Sequence, residues 1–497
     1  NGCFFGPLRK MVYNANLIVV NHALLVSEAK ARVEAGEGMG FLPEHQSVII
    51  DEAHNVAQVA YRQLTTVLDQ RSLGYFLDRI DPEHSHSGRW NNQLKSLGAL
   101  HPDFERLRNE LGGAIKRCRE SMKIFFEKLV GNSLHRFDPE AKYSTKLIIE
   151  SLAEEFGPLE GDIEQVNRGF HGARNQVRRL REALLDIDET REDFLELHQL
   201  FDRGEGLMTD SLLLIQALTT NQDNDWVYWY EGSFKNIRGQ TQLILMVQGA
   251  PVDIGPDLSS GLFKELDHSI LTSATLRIDA SFDYFLQRTG LNGVEFDDLK
   301  TAVFESPFHF NEQVTYYQYS GTDGQTPDAL ANMIYSCHQR YNKRMMVLFT
   351  SRAQLESTYQ LLQRQAGGRG LPIFAQKRQS SRTGLVRGMH QSANGILLGT
   401  NAFWEGVDLP GELLEILIIV KMPFNVPTEP LVKAYGNLIQ SQGGNSFMDY
   451  ALPESVIRFR QGFGRLIRTS YDEGIFIVMD DRVVNKRYGI AFSEAIP

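Results

Sequence analysis

The chain has 497 residues, enough for three or four domains with proper cores, and its 42% hydrophobic and 23% charged composition is ordinary for a globular protein. No apolar run reaches the roughly 18 residues needed to span a bilayer, and three cysteines in 497 residues exclude a disulfide framework and suggest a reducing compartment. The formal net charge of -11 excludes a generally basic nucleic-acid binder, so any such site must be a local basic channel in an acidic protein.

The first residues, Asn1-Gly2-Cys3-Phe4-Phe5, form neither a signal peptide nor a natural initiation site, which implies further sequence upstream. A short helix is expected next, then a strand at Leu17-Ile18-Val19-Val20. A second strand, Val48-Ile49-Ile50, ends in Asp51-Glu52-Ala53-His54. Short continuous apolar strands predict the buried interior of a parallel sheet. Residues 60–225 are polar and helical. There Ile163, Val166, Phe170, Ala173, Val177, Leu180, Leu184 and Ile187 recur in steps of three and four. That is a heptad seam along a long helix paired antiparallel with another, in a helical insertion packed on itself. The nearby Arg174, Arg178, Arg179 and Arg181 read as a solvated face rather than a nucleic-acid contact.

The sheet pattern is expected to return at 226–230 and 243–247, followed by a strand at 269–271 that runs into the polar turn Thr272-Ser273-Ala274-Thr275. Beyond residue 300, strands at 345–349, 395–398, 416–420 and 475–479 alternate with helices, the rhythm of a doubly wound α/β domain. With no internal repeat and no low-complexity linker, the insertion is embedded within the first α/β domain.

An acid at the carboxyl end of a buried strand sits where α/β sheets bind ligands. Two adjacent carboxylates there suit nucleoside triphosphate hydrolysis: Asp51 to hold Mg²⁺ through water, Glu52 to orient and deprotonate the attacking water. The bland alternative is a solvated helix N-terminus. Ser273-Ala274-Thr275 reads equally well as a helix N-cap. In the segment from Gly399 to Gly411, backbone amides and Thr400 suit a phosphodiester, Asp408 a nucleotide or an arginine, and Phe403 and Trp404 core packing. Arg465 and Arg468, three apart on an expected helix after Gln461, would share one face and present paired guanidinium forks to a triphosphate. Cys118 and Cys337 read as structural.

Taken in order, these motifs resemble those of the superfamily 2 helicases, and more closely the DinG/XPD-like iron–sulfur helicases. Asp51-Glu52-Ala53-His54 resembles the Walker B box, Ser273-Ala274-Thr275 motif III, and Val347-Leu348-Phe349-Thr350-Ser351 motif IV. GTNAFWEGVDLPG (399–411) resembles motif V and QGFGRLIR (461–468) motif VI. Lys421-Met422-Pro423-Phe424 and Asp480-Asp481-Arg482 fit as flanks. The resemblance implies an α/β fold of two RecA-like parallel-sheet motor domains with an all-α, arch-type insertion in the first. On that reading, 1–60 is the remainder of the first motor domain, with the end of an iron–sulfur region at 1–10. Residues 61–225 are the insertion, 226–295 the return of the first domain, and 296–497 the second motor domain.

The same resemblance implies an ATP-dependent DNA helicase that steps 5′ to 3′ on single-stranded or forked DNA as a monomer, in a bacterial-type cytosol or nucleoid and without a membrane. Glu52 would be the catalytic base, Asp51 the Mg²⁺ residue and His54 a coupling residue. Gln461, Arg465 and Arg468 would face the triphosphate, with one arginine as the finger, and Gly406 and Asp408 would lie at the ATP cleft. Thr350, Ser351, Thr400 and Asn401 would contact the DNA backbone. Cys3 resembles the last ligand of the family's 4Fe–4S cluster, which takes about four thiolates.

The chain departs from the pattern in having no GxxxxGK[ST], the loop whose amides and lysine cradle the phosphates. By itself it is therefore expected to bind ATP poorly and to show no significant ATPase activity. Two other classes stay open: a nuclease–helicase fusion with its nuclease upstream, and an ATP-deficient nucleic-acid-binding protein. RNA as the track is a further alternative, since 2′-hydroxyl contacts are not legible in sequence.

Overall fold

The computed structural model describes residues 11–35, 42–82, 103–185, 192–220, 225–237, 239–264, 266–278, 280–293, 298–321, 323–366, 370–376, 380–404, 409 and 411–496. These fall into two compact units. One comprises 1–50, 55–270 and 428–435, the other 51–54, 271–427 and 436–497.

The first unit begins with α1 (His22–Ala35), β1 (Ser47–Ile50), α2 (Val56–Leu64), β2 (Thr66–Asp69) and α3 (Gln70–Ile80). Three long helices follow, α4 (Phe104–Ser133), α5 (Glu160–Leu185) and α6 (Glu192–Thr220), with β3 (Thr145–Ile148) between the first two. The expected seam is the inner face of α5: Ile163, Val166, Phe170, Ala173, Val177 and Leu180 are all buried in one core. The Leu184 side chain and Ile187 lie outside the described residues.

Ion pairs fix the helix directions. Lys128 meets Asp162 and Arg179 meets Glu110, so α4 and α5 run antiparallel. Arg181 meets Asp202 and Glu205 while Arg174 bonds Thr209, so α5 and α6 also run antiparallel. Arg174, Arg179 and Arg181 therefore tie helices together, while Arg178 pairs with Glu182 on its own helix.

The insertion is not all α, and the strands at 226–247 are not the return of a parallel sheet. β4 (Trp226–Ile237) and β5 (Gln240–Pro251) form a long antiparallel hairpin, turned at Gly239 with φ +84. β2 and β3, from within the stretch expected to be helical, pair with its two edges in the order β2-β5-β4-β3. Tyr228, Tyr230, Leu243, Leu245 and Val247 then pack into the helical core. The apolar runs of β4 and β5 mimic buried parallel strands because this sheet lies against helices. The four-residue β2 and β3 are too short to announce themselves by period.

β1 pairs with β6 (His268–Leu271) in a separate two-stranded sheet. The expected strand at 17–20 joins none of the three sheets, and Leu17 and Val19 are 80% and 89% exposed. A strand is held by its neighbours' backbone groups, and this segment meets none among the described residues.

The second unit follows the expectation closely. After α7 (Asp283–Thr289) come β7 (Val314–Gln318), α8 (Pro327–Tyr341), β8 (Met345–Leu348), α9 (Arg352–Ala366), β9 (Ile373–Ala375), α10 (Arg382–Gln391) and β10 (Ile396–Gly399). Then come β11 (Ile416–Ile419), α11 (Leu452–Phe463) and β12 (Gly474–Val478). The six strands form one parallel sheet, ordered β7-β12-β11-β8-β10-β9. Alternate residues of each strand feed different cores. Met346, Leu348, Leu397, Leu417 and Ile419 join one, while Met345, Val347, Ile396, Leu398 and Ile418 join the other. That two-sided burial is why these strands read as unbroken apolar runs. Thr326 caps the start of α8 with Pro327 in its first turn, and Asn342, at φ 51, closes it.

Candidate active site

β1 ends on the buried Ile50, and the chain leaves the sheet through Asp51 and Glu52 before α2 begins. Glu52 adopts φ 50, the left-handed region that a side chain rarely occupies. This twist lets Ala53, fully buried, donate its N–H to the Thr272 carbonyl at 2.9 Å. The turn after β6 is thereby stitched to the turn after β1. Thr272 Oγ1 donates to Asp51 Oδ1 at 3.1 Å, and the Glu52 N–H donates to the same oxygen at 2.9 Å.

Ser273 is the hub. Its Oγ lies 2.6 Å from His54 Nδ1 and 3.3 Å from Glu52 Oε2, and it accepts the Thr275 N–H at 3.2 Å. His54 Nδ1 is itself 3.3 Å from Glu52 Oε2. The single hydroxyl proton can go to the imidazole or to the carboxylate, and the tautomer of His54 decides which. The Glu52 side chain is 59% exposed while that of His54 is 8% exposed, so the carboxylate faces solvent on a buried support. Read from the residues alone, Ser273-Ala274-Thr275 is equally a helix cap, and only its resemblance to motif III sets it apart. Only the fold reveals Ser273 as the partner of His54.

Mg²⁺ prefers a few oxygen ligands, usually one or two carboxylates completed by phosphates and water. Asp51, exposed at the strand end and oriented by two donors on one oxygen, fits that mode. No group of three or more His, Cys, Asp or Glu among the described residues could hold a metal unaided. They offer no thiolate set for a 4Fe–4S cluster either. Cys118 and Cys337 are buried within α4 and α8, burial pushing the first up to about 12 and raising the second. Cys3 lies outside the described residues.

The carboxyl edge of the six-stranded sheet gathers the next group. Because β8 and β10 are parallel neighbours in register Leu348↔Gly399, Thr350-Ser351 and Thr400-Asn401 leave the sheet side by side. Thr350 and Ser351 are half-buried, and Ser351 caps α9 by accepting the Gln354 N–H. Thr400 is 6% exposed, and its N–H and hydroxyl both donate to Gln376 Oε1, at 2.8 and 2.9 Å. Its hydroxyl is thus committed inside the protein rather than presented to DNA, because β9 places Gln376 beside it. Gln376 carried no sequence signal. The Asn401 side chain, Gly406 and Asp408 lie outside the described residues. Phe403 and Trp404 are core residues, and Trp404 donates to the Phe349 carbonyl. A Cβ on Gly462 would stand 2.9 Å from the Trp404 ring, which explains that glycine.

Arg465 and Arg468 do not share a helical face. α11 stops at Phe463, and Gly464 caps it by donating to the Arg460 carbonyl. Arg465 lies in the turn beyond, its Nη2 3.2 Å from the Trp404 carbonyl. Arg468 sits in a non-helical segment whose N–H donates to Asp472, as do the Thr469 N–H and hydroxyl. Burial would raise the Asp472 carboxyl, but these hydrogen bonds outweigh it and the net shift is downward. Gln461, in the last turn of α11, has a buried side-chain oxygen without a hydrogen-bond partner. A second structural carboxylate, Asp480, is fully buried, takes a fork from Arg482 and accepts the Met422 N–H.

A family model described as the helicase C-terminal domain matches residues 334–497, and the DEAD_2 model matches residues 1–73. The chain is 27% identical to the ATP-dependent DNA helicase DinG of Photobacterium profundum, covering 100% of this chain and 70% of that protein. The chain is similar to the DinG/XPD-like helicases. It is also 27% identical to the 3'-5' exonuclease DinG of Bacillus subtilis, covering 99% of this chain and 53% of that protein. It is 26% identical to the ATP-dependent DNA helicase YoaA of Escherichia coli, covering 100% of this chain and 69% of that protein. It therefore spans about half the length of one of these relatives and about 70% of the other two. In fold it is similar to a solved XPD helicase, with a TM-score of 0.52 at 15% identity over 99% of this chain and 74% of that one.

Proposed function

We propose that this chain is the hydrolysing and second-motor portion of an ATP-dependent DNA helicase. The Glu52–His54–Ser273 constellation at the end of β1 carries the reading: an exposed carboxylate on a buried, hydrogen-bonded support suits a base for an attacking water. Asp51 would hold Mg²⁺, which supplies charge neutralisation to the phosphates when bound. Gln461, Arg465 and Arg468 would take the triphosphate, with Gly406 and Asp408 at the same nucleotide. Thr350, Ser351 and Asn401 would follow the DNA backbone. The relatives named as ATP-dependent DNA helicases support DNA as the substrate. Travel from 5′ to 3′ on single-stranded or forked DNA, as a monomer in the cytosol or nucleoid, completes the reading. No helix among the described residues is long and apolar enough to cross a membrane. The first motor domain would comprise 1–60 and resume near β6, with the hairpin β4–β5 belonging to the insertion.

The test is ATP hydrolysis by the longest natural reading frame that contains this chain. Turnover stimulated by single-stranded DNA and abolished by Glu52→Gln, with DNA binding kept, is the expected result. Turnover that survives Glu52→Gln rejects it. Residues 1–497 alone, having no GxxxxGK[ST], should show no significant turnover.

Cys3 would supply one thiolate of a 4Fe–4S cluster shared with cysteines beyond this chain. An anaerobic preparation of the same reading frame without iron or sulfide removes that proposal. A nuclease–helicase fusion is favoured by the name of the Bacillus subtilis relative. It predicts 3′–5′ degradation of DNA that Glu52→Gln leaves intact.

A further inference from the structure

The segment that leaves Ser273 does not run free. Thr275 and Leu276 are buried, and the Arg277 carbonyl accepts a hydrogen bond from Arg460 Nη1 at 3.0 Å. Arg460 occupies the last turn of α11, directly before Gln461 and five residues before Arg465. One charge-assisted bond therefore ties the turn bonded to Glu52 and His54 to the helix that ends in the triphosphate-facing group.

A second brace lies further along the same two segments. Tyr284 donates to Glu454 Oε1 at 2.5 Å, and Arg288, 5% exposed, stacks over the Tyr450 ring at 5.4 Å and stands 4.0 Å from Glu454. Here a cation meets a carboxylate and an aromatic face, an arrangement that packing alone explains. Arg460 differs. Among the described residues it pairs with no carboxylate, while burial and the neighbouring Arg277 charge both disfavour its charged form. Its hydrogen bond goes instead to the backbone of the segment that leaves Ser273, so it sets where that segment lies.

We propose that Arg460 is a positioning residue for ATP hydrolysis. It fixes the turn at Ser273–Arg277 against α11, so that the water-activating carboxylate and the Gln461–Arg465 group keep one relative placement in the transition state. This rests on the helicase reading of the same site. The interaction matters to the chemical step and not to nucleotide capture, so its loss falls on kcat rather than on KM.

The experiment uses the longest natural reading frame containing this chain, at saturating single-stranded DNA, with kcat, KM for ATP and Tm read for each variant. Arg460→Met is expected to lower kcat about tenfold with KM within about twofold. Arg460→Lys, which keeps a charged donor, should restore most of that loss. Tyr284→Phe, in the neighbouring brace, should lower Tm and leave kcat within about twofold. If Arg460→Met does not fold, Arg460→Gln is read by the same division. Wild-type kcat in Arg460→Met, or in Arg460→Gln read in its place, overturns the proposal, and so does a loss in KM alone or a loss in kcat that lysine does not recover. Glu52→Gln separates the two readings: turnover surviving it rejects the helicase assignment, whereas turnover lost there but unchanged on removing Arg460 rejects only the positioning role.

Discussion

His54 Nδ1 and Ser273 Oγ lie 2.6 Å apart although 219 positions separate them in the chain. The bond joins the turn after β1 to the turn after β6, and the same hydroxyl reaches Glu52. Removing it leaves a ring at 8% exposure without that partner and frees the carboxylate to wander. Ser273→Ala should therefore reduce DNA-stimulated ATP turnover by about tenfold, the worth of one hydrogen bond of ~1.4 kcal/mol in the transition state. Steady-state kinetics on the longest reading frame checks this; a variant with undiminished kcat removes Ser273 from the mechanism.

Glu52 has φ 50, so its backbone favours glycine and strongly disfavours a β-branched residue. Glu52→Gly should be at least as stable as the wild type while losing turnover. Glu52→Val should be less stable than Glu52→Gly by about 1–2 kcal/mol. Urea denaturation of the three proteins measures the order, and equal midpoints for the glycine and valine variants would count against the left-handed turn.

Two glycines in α6 call for opposite outcomes. A Cβ on Gly204 would stand 1.6 Å from the buried Phe76 ring, whereas one on Gly206 meets nothing within 4 Å. Gly204→Ala should cost about 1–3 kcal/mol by overpacking. Gly206→Ala should gain up to about 1 kcal/mol from helix propensity. Thermal melts of both should move in opposite directions; shifts of one sign would refute the packing of α6 on α3.

Asp480 is fully buried; burial alone would raise its carboxyl, but the Arg482 fork and the Met422 N–H more than reverse this. A depressed folded value means that its stabilisation is complete above the unfolded aspartate range, about 3.9, and is lost as pH falls through the folded value. Asp480→Asn should thus cost about 2–4 kcal/mol at pH 7. The gap between the two proteins should close in acid. Denaturant titrations at several pH values test it, and a gap that widens on acidification contradicts the ion pair.

The site was legible where chemistry and backbone are local. Asp51-Glu52-Ala53-His54 announces itself because the strand before it and the carboxylates within it are contiguous. The second-unit strands read true because both their faces are buried, which leaves an uninterrupted apolar signature. The hairpin β4–β5 carries the same signature for another reason, helices packed on one face of an antiparallel sheet, and an apolar run alone does not tell the two apart. The three-residue spacing of Arg465 and Arg468 suits one helical face. Spacing says nothing of where a helix ends, and Gly464 ends it before both. Thr400 seemed available for phosphate until β9 put Gln376 beside it.

The sequence by itself determined the order of its motifs, the second parallel sheet and the seam of α5, since each rests on residues near one another in the chain or on a repeated period. Tertiary structure alone decided which turn supports Glu52, which arginine ties that turn to α11, and which hydroxyls are already spent within the protein. Those facts depend on side chains brought together across as many as 221 positions, and such meetings are set by packing of whole elements rather than by any local pattern.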